Sequence, residues 1–185
     1  MPAVAKTSHN DVIAAARELL ERDGVDGVSM QAVADEVGVR APSLYKRFAD
    51  RGALLGELER AAFADMQRAL ERVPVTAHPK RDLAALARAY RRFAKAHRHA
   101  YALMMMQPSS LPDADAVVAR KAATQPVFAR LVAWLGPSDV LEAARVLTAF
   151  VHGFVAMELA GAFHLGPGID DAFDTGVTVL LRGLG

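Results

Sequence analysis

The chain has no cysteine. Disulfides and thiolate metal sites are therefore excluded, and a reducing cytosol is compatible with the composition. The opening Met-Pro-Ala-Val-Ala-Lys has no apolar run of signal-peptide length. No later segment approaches the roughly 18 uncharged apolar residues of a membrane span, so a soluble, cytoplasmic protein is expected. A marked excess of one sign of charge is also missing. The net charge is only +1, and bulk charge does not announce a nucleic-acid partner. No sustained apolar/polar alternation marks a strand, and there is no internal repeat or low-complexity tract. Catalytic signatures are absent as well. No Glu stands three residues before a His, which removes the metal signature of helical bundles, and His97 and His99 are two apart, a poor pair of ligands on a helix. No phosphate-cradling glycine loop or nucleophile elbow is present. Neither an enzyme nor a cofactor or metal site is expected.

What is present is helical periodicity almost throughout, with 52% apolar residues to fill a core. The spacing predicts an all-α chain of about nine helices. The first runs from about Asn10 to Asp23, with Ser8 and Asp11 as a weak capping box and Gly24 as its stop. Ser29 caps a second, about Met30 to Val37. A third starts near Ala41, with Pro42 in its first turn, and closes at Phe48 and Ala49. Asp50 caps a fourth, Arg51 to Arg72, and the hinge Val73-Pro-Val-Thr-Ala-His-Pro follows. The fifth, about Arg81 to His99, is two-faced. Leu83, Leu86, Tyr90, Phe93 and His97 form one side; Arg88, Arg91, Arg92, Lys95 and Arg98 form the other, read as a solvated basic face. A short sixth helix ends by Gln107, before a loop from Pro108 to Pro112. The seventh spans about Ala114 to Leu135, Ser138 caps the eighth, which runs to about Phe163, and the ninth covers about Asp170 to Leu184.

The stretch from Ser29 to Phe48 is the most specific part. Two short helices meet at Gly38, with small Ala34 four residues before it and apolar Leu44 six after, the spacing of a helix-turn-helix that enters the DNA major groove. Residues 1–51 hold seven bases against eight acids, yet between Val37 and Phe48 there are three bases and no acid. Attraction to DNA must come from this local patch. Arg40, Ala41, Pro42, Ser43 and Lys46 lie at or near the exposed start of the third helix; Arg and Lys can donate to guanine O6 and N7, and Ser can bond either kind of edge. Ser29, at a helix N-terminus, suits a phosphate.

These residues resemble the head of the tetracycline-repressor (TetR) family. The resemblance rests on Ile13-Ala-Ala-Ala-Arg-Glu-Leu-Leu, Gly24, Val28-Ser-Met, Ala32-Val-Ala, Val37-Gly-Val, Leu44-Tyr45, Phe48 and the basic-x-x-Leu-Leu of Arg51 to Leu55. It implies a DNA-binding head over residues 1–52 and a ligand-binding and dimerisation domain over 53–185. It further implies that Tyr45 and Arg51 touch phosphate. Arg40, where a small hydroxyl residue is frequent, and Pro42, where glycine is frequent, depart from the family pattern and mark where base preference is expected to differ. A second stretch, Ala149-Phe-Val-His-Gly-Phe-Val-Ala-Met-Glu-Leu-Ala-Gly, is similar to the His-Gly (WHG-type) ligand-domain subgroup; its usual tryptophan has no place there, and the only Trp is Trp134.

The eighth helix is apolar nearly all round, so it must be buried on more than one side. Ala149, Gly153, Ala156 and Ala160 form a small-residue face, and Phe173, Val177, Leu180 and Leu181 lie on the ninth helix. The resemblance implies that these two helices pair with their copies in a homodimer, which would present two recognition helices to a palindromic operator. It also implies a pocket for a small, largely apolar effector, for which Phe93, His97, Tyr101, Met104, Met105, Phe128, Leu131, Trp134, Phe154, Met157 and Glu158 are the candidates. For His97, His152 and Glu158 a satisfied structural role competes with a pocket role. The expected function is a DNA-binding regulator, a repressor released by its ligand. The competing reading is a helical ligand-binding or scaffold protein without sequence-specific DNA binding.

Overall fold

The computed structural model describes residues 7–105 and 114–184. The expected loop from Pro108 to Pro112, and Gln107 before it, lie outside the described residues. Among those described there are nine helices and no strand: α1 (His9–Gly27), α2 (Met30–Glu36), α3 (Ala41–Leu44), α4 (Arg51–Glu71), α5 (Pro79–Ala96), α6 (Arg98–Met105), α7 (Ala114–Leu135), α8 (Val140–Leu159) and α9 (Ile169–Gly183). The chain forms two compact units, one of residues 1–63 with 97–119, the other of 64–96 with 120–185.

Local chemistry explains the helix ends in the first unit. The Ser8 Oγ accepts from the Asp11 amide (3.1 Å), and the Asp11 carboxylate accepts from the Ser8 amide (2.7 Å), a reciprocal capping box. These bonds, the backbone one first, hold the Asp11 carboxyl below its ordinary pKa. Gly24 takes φ +74° and interrupts α1, so the regular helix stops where the glycine was expected to stop it. Ser29 Oγ accepts from the Ala32 amide (3.0 Å) and caps α2. Gly38, at φ +69°, ends α2: its amide donates to the Asp35 carbonyl and that of Val39 to the Ala34 carbonyl, which together make a Schellman turn. Asp50 caps α4 through the Ala53 amide (2.8 Å).

Two expected boundaries shift. The helix expected to reach Phe48 has only one regular turn, Ala41–Leu44. Beyond it the Arg47 and Phe48 amides both turn onto the Leu44 carbonyl (2.8 and 2.9 Å), which tightens the chain before Asp50. Ser138 does not cap α8. Asp139 takes the cap position without a side-chain bond to the helix, and the Ser138 hydroxyl lies 3.4 Å from the Asp139 carboxylate instead.

The core of the first unit joins Val12, Ala16, Leu19 and Leu20 of α1 to Met30, Val33 and Ala34 of α2, Leu44, Phe48, and Leu54, Leu55 and Leu58 of α4. Each fully buried leucine here stabilises the fold by roughly 1.5–3 kcal/mol. Leu103 brings α6 into the same core. A polar joint fixes this helix to α1. The ring Nδ1 of His99 faces the carbonyls of Leu20 (3.1 Å) and Glu21 (3.0 Å); both can only accept, so Nδ1 carries the proton and donates. In return the Glu21 carboxylate accepts from the Ala100 amide (3.2 Å) at the start of α6.

In the second unit α5, α8 and α9 pack on one another, burying Leu83, Leu86 and Phe93 with Leu147, Val151 and Val155, and with Phe173, Val177 and Leu181. Helix α7 continues through Pro126, and the buried Arg130 one turn later donates to the Pro126 carbonyl and to that of Val73 (3.2 Å each). The α8 helix is long and apolar enough to cross a membrane by length and composition, which the sequence reading had not credited to any segment. In this fold its Ala143, Leu147, Val151 and Val155 face the protein core.

Candidate nucleic-acid interface

The helix-turn-helix places its basic residues outward. Leu44 and Phe48 point into the core at 1% and 2% exposure, and by the helical period that turns their neighbours to solvent. Arg40, Pro42, Ser43, Tyr45, Lys46 and Arg47 are all exposed, Tyr45 by 55%, and Ala41 is half-buried at the base of the patch. Three cations and no carboxylate fall between Val37 and Phe48, so the local potential is positive although the unit as a whole is not. Arg47 is partly committed, since its guanidinium donates to the Thr7 carbonyl. The half-buried Ser29 uses its oxygen to accept from Ala32, which leaves the hydroxyl proton available at the N-terminus of α2.

Arg51, for which the resemblance implies a phosphate contact, bonds within the protein. Its Nε donates to the Val28 carbonyl (2.6 Å) and its Nη2 to the Val25 carbonyl (2.5 Å). Two of its donors thus close onto the turn between α1 and α2.

The candidates for an effector pocket are divided between the two units. His97, Tyr101, Met104 and Met105 belong to the first unit; the rest belong to the second. Tyr101 and Met104, each 3% exposed, are core residues of the first unit, and Met105 is exposed. His97 sits 4.0 Å from the Glu21 carboxylate with about half its side chain in solvent. In the second unit Phe93 and Leu131 are buried, Phe128 and Trp134 are half-buried, and the Lys80 ammonium lies over the Trp134 ring at 4.4 Å. Phe154 joins Phe150, Phe163 and Phe173 in an aromatic cluster. Met157 is exposed.

Glu158 is committed within the protein. Its carboxylate takes a two-pronged bond from Arg91 (Nε to Oε2 and Nη2 to Oε1, both 2.7 Å) and a third from Lys95 (2.7 Å). Arg91 also reaches Asp170 (2.7 Å) and lies 4.9 Å over the Phe173 ring. The Arg91 bond outweighs burial, which acts the other way, and holds the Glu158 carboxyl below its ordinary pKa; the same bond raises the Arg91 pKa. The basic side of α5 is therefore not wholly a solvated face: Arg91 is buried, and Arg88 pairs with Asp174 (2.8 Å). Sequence reasoning missed this joint because its partners stand 67 positions apart; the one local signal was Glu158, the single charged residue in α8 after Arg145.

The small-residue face of α8 is open. Ala149, Ala156 and Ala160 are exposed, and a Cβ added at the half-buried Gly153 would meet nothing within 4 Å. Val146 and Met157 beside it, and Val179 on α9, are exposed apolar residues. Of the α9 residues expected at the dimer interface, Leu180 is half-buried, whereas Phe173, Val177 and Leu181 are 0–5% exposed and belong to the core of their own unit. The α9 helix turns that stripe inward against α5 and α8, so a partner could meet only the neighbouring stripe.

Comparison with known proteins agrees with this architecture. Residues 12–58 match the model of bacterial regulatory proteins of the tetR family, and residues 83–180 match the tetracyclin repressor-like C-terminal domain. An uncharacterised HTH-type transcriptional regulator of Mycobacterium tuberculosis is 28% identical over 158 residues, covering 85% of this chain and 72% of the relative. A protein of unknown function from Rhodococcus sp. RHA1 superposes with a TM-score of 0.85 at 31% identity, over 99% of this chain and 98% of that one. A tetracycline-repressor variant of Acinetobacter baumannii, solved in complex with minocycline, superposes with a TM-score of 0.70 at 26% identity over 96% of each chain. With a helix-turn-helix head and a C-terminal domain that both match, the chain belongs to the TetR family of helix-turn-helix transcriptional regulators.

Proposed function

We propose that this regulator is a cytoplasmic, non-enzymatic homodimer that represses from a palindromic operator and releases it when a small, largely apolar effector binds its C-terminal domain. The observation that carries the DNA side is the acid-free, exposed face from Arg40 to Lys46. Arg40, Ala41, Pro42, Ser43 and Lys46 are proposed to meet the major groove, and Tyr45 and Ser29 the flanking phosphates. The functional division falls near residue 52, with the head before it. The open face of Ala149, Gly153, Ala156 and Ala160, flanked by Val146, Met157 and half-buried Leu180, supports pairing with a second copy. Phe173, Val177 and Leu181, buried in the core of their own unit, are left out of the proposed pairing surface.

On the effector side, Phe128 and Trp134 of the second unit remain the proposed lining, exposed Met157 goes with the pairing face, and Glu158 orders the body rather than binding ligand. Release requires that the effector bind more tightly to a body conformation in which the two heads are wrongly spaced for the operator. The test is selection of duplexes from a random library by the full-length protein, followed by release of the winning duplex with candidate small molecules. A palindromic consensus and effector-dependent release are expected. Retention with no consensus would remove the proposed operator, and an effector that binds tightly yet leaves duplex affinity unchanged would remove the coupling.

A further inference from the structure

Arg51 opens α4 at the position where the family resemblance implies a phosphate contact, yet two of its donors are already bonded within the protein. The guanidinium is part-buried and bonds two carbonyls, Val28 at 2.6 Å and Val25 at 2.5 Å. Those carbonyls bracket the connection from α1 to α2. The Val25 carbonyl also takes the Val28 amide (3.2 Å), so it is shared between the turn's own backbone and Arg51. The turn is tight for further reasons. Gly24 holds φ +74°, and a Cβ at Gly27 would come within 2.3 Å of the Asp23 side chain. Directly after Val28 comes Ser29, which caps α2 through Ala32. The grip on the Val28 carbonyl therefore acts on the peptide unit that leads into the cap, and on the direction in which the first amides of α2 point.

We propose that Arg51 is a positioning residue for DNA binding: it braces the Val25–Val28 turn and so aims the Ser29 end of α2, contributing through geometry rather than by neutralising a phosphate. The proposal deepens the DNA-binding reading above and rests on it. The two roles differ in their salt signature. A residue that neutralises a phosphate takes about 0.9 from the slope of log affinity against log salt when removed. A brace weakens binding at every salt concentration and leaves the slope unchanged. The roles also differ in what lysine can do. Lysine keeps the charge but has no rigid fork to hold two carbonyls at once.

The test uses full-length protein and the duplex it selects, with affinity measured across a salt series and folding checked by thermal melting. Arg51→Gln and Arg51→Lys are each expected to weaken binding about tenfold, the scale of a lost charge-assisted hydrogen bond, with the wild-type salt slope. A Ser29→Ala variant measured alone tests whether that hydroxyl faces DNA. Combined with Arg51→Gln it is expected to be less than additive, because the brace acts through the same helix end. A slope reduced by about 0.9 in Arg51→Gln, full recovery in Arg51→Lys, or unchanged affinity in both would each overturn the proposal. So would strict additivity with an effective Ser29→Ala. If Ser29→Ala alone has no effect, only the Ser29 contact falls, and the brace is decided by the slope and the lysine variant. If Arg51→Gln fails to fold, Arg51→Lys carries the decision.

Discussion

Replacing Glu158 by Gln removes one charge from the joint that ties α8 to α5 and α9, and its cost can be worked from the geometry. Both side chains of the central pair are nearly out of solvent, Arg91 at 11% and Glu158 at 10%. Removing one member of a well-buried pair costs about 3–5 kcal/mol, because the other is left uncompensated. Here Arg91 keeps Asp170 at 2.7 Å and the face of Phe173. Asp170 is 85% exposed, so it offsets only part of the loss. The contribution of half-exposed Lys95 is small for the same reason. The expected destabilisation is therefore about 2 kcal/mol. Denaturant unfolding at fixed protein concentration measures it, since an oligomer's midpoint moves with concentration. The double variant Arg91→Met with Glu158→Met should lie within about 1 kcal/mol of wild type, as both charges leave together. The pH dependence has a definite sign. Because the folded-state pKa of Glu158 is depressed, its contribution is fully present above the ordinary glutamate value of about 4.3 and is lost as pH falls through the depressed one. Wild type and Glu158→Gln should converge in strong acid. A neutral-pH difference below about 0.5 kcal/mol would refute the reasoning that this pair is held out of solvent.

Other substitutions probe the remaining joints. Gly38→Ala should cost about 1 kcal/mol in thermal melting, all of it backbone strain, because a Cβ there meets nothing within 4 Å. Gly176→Ala should cost about 1–3 kcal/mol for a different reason: the new Cβ would fall 2.2 Å from the Phe150 ring, which must swing away from Phe173 and Phe154. Adding Phe150→Leu should recover part of that loss. Asp82, whose carboxylate accepts from the Thr76 amide and hydroxyl (2.7 Å each), has its pKa lowered by those bonds, the backbone one first. Asp82→Asn should be less stable than wild type at neutral pH. The difference should close as pH falls below the ordinary aspartate range, followed by unfolding at successive pH values.

The elements legible in the sequence were those specified by neighbours within one turn. Ser8 with Asp11, Ser29 before Ala32, Asp50 before Ala53 and Gly38 at the left-handed turn each carry their partner three or four positions away, and each acts as read. What could not be read depends on distance along the chain. Arg51 bonds carbonyls 23 and 26 positions back, and no side-chain pattern announces a backbone acceptor. Arg91 looked solvated because helical period assigned it to the charged side of α5, whereas the nearly buried Glu158 holds it inward and exposed Asp170 meets it from the solvent side. The candidate DNA face was legible because burying Leu44 and Phe48 leaves one outcome for the residues between them. Met and aromatic residues at helical spacing fill a core as readily as they line a cavity, so their pattern does not separate buried Tyr101 and Met104 from half-buried Phe128 and Trp134.

The assignment of the Arg40–Lys46 face to DNA is tested by the salt dependence of duplex affinity for wild type and for Lys46→Ala, each on the duplex that wild type selects. Wild type is expected to bind strongly and with marked salt sensitivity, and Lys46→Ala to bind more weakly with a slope smaller by up to about 0.9 for each Lys46 that meets DNA charge. Duplex affinity and slope both unchanged by Lys46→Ala, with the variant folded, would contradict the assignment of the Arg40–Lys46 face to DNA.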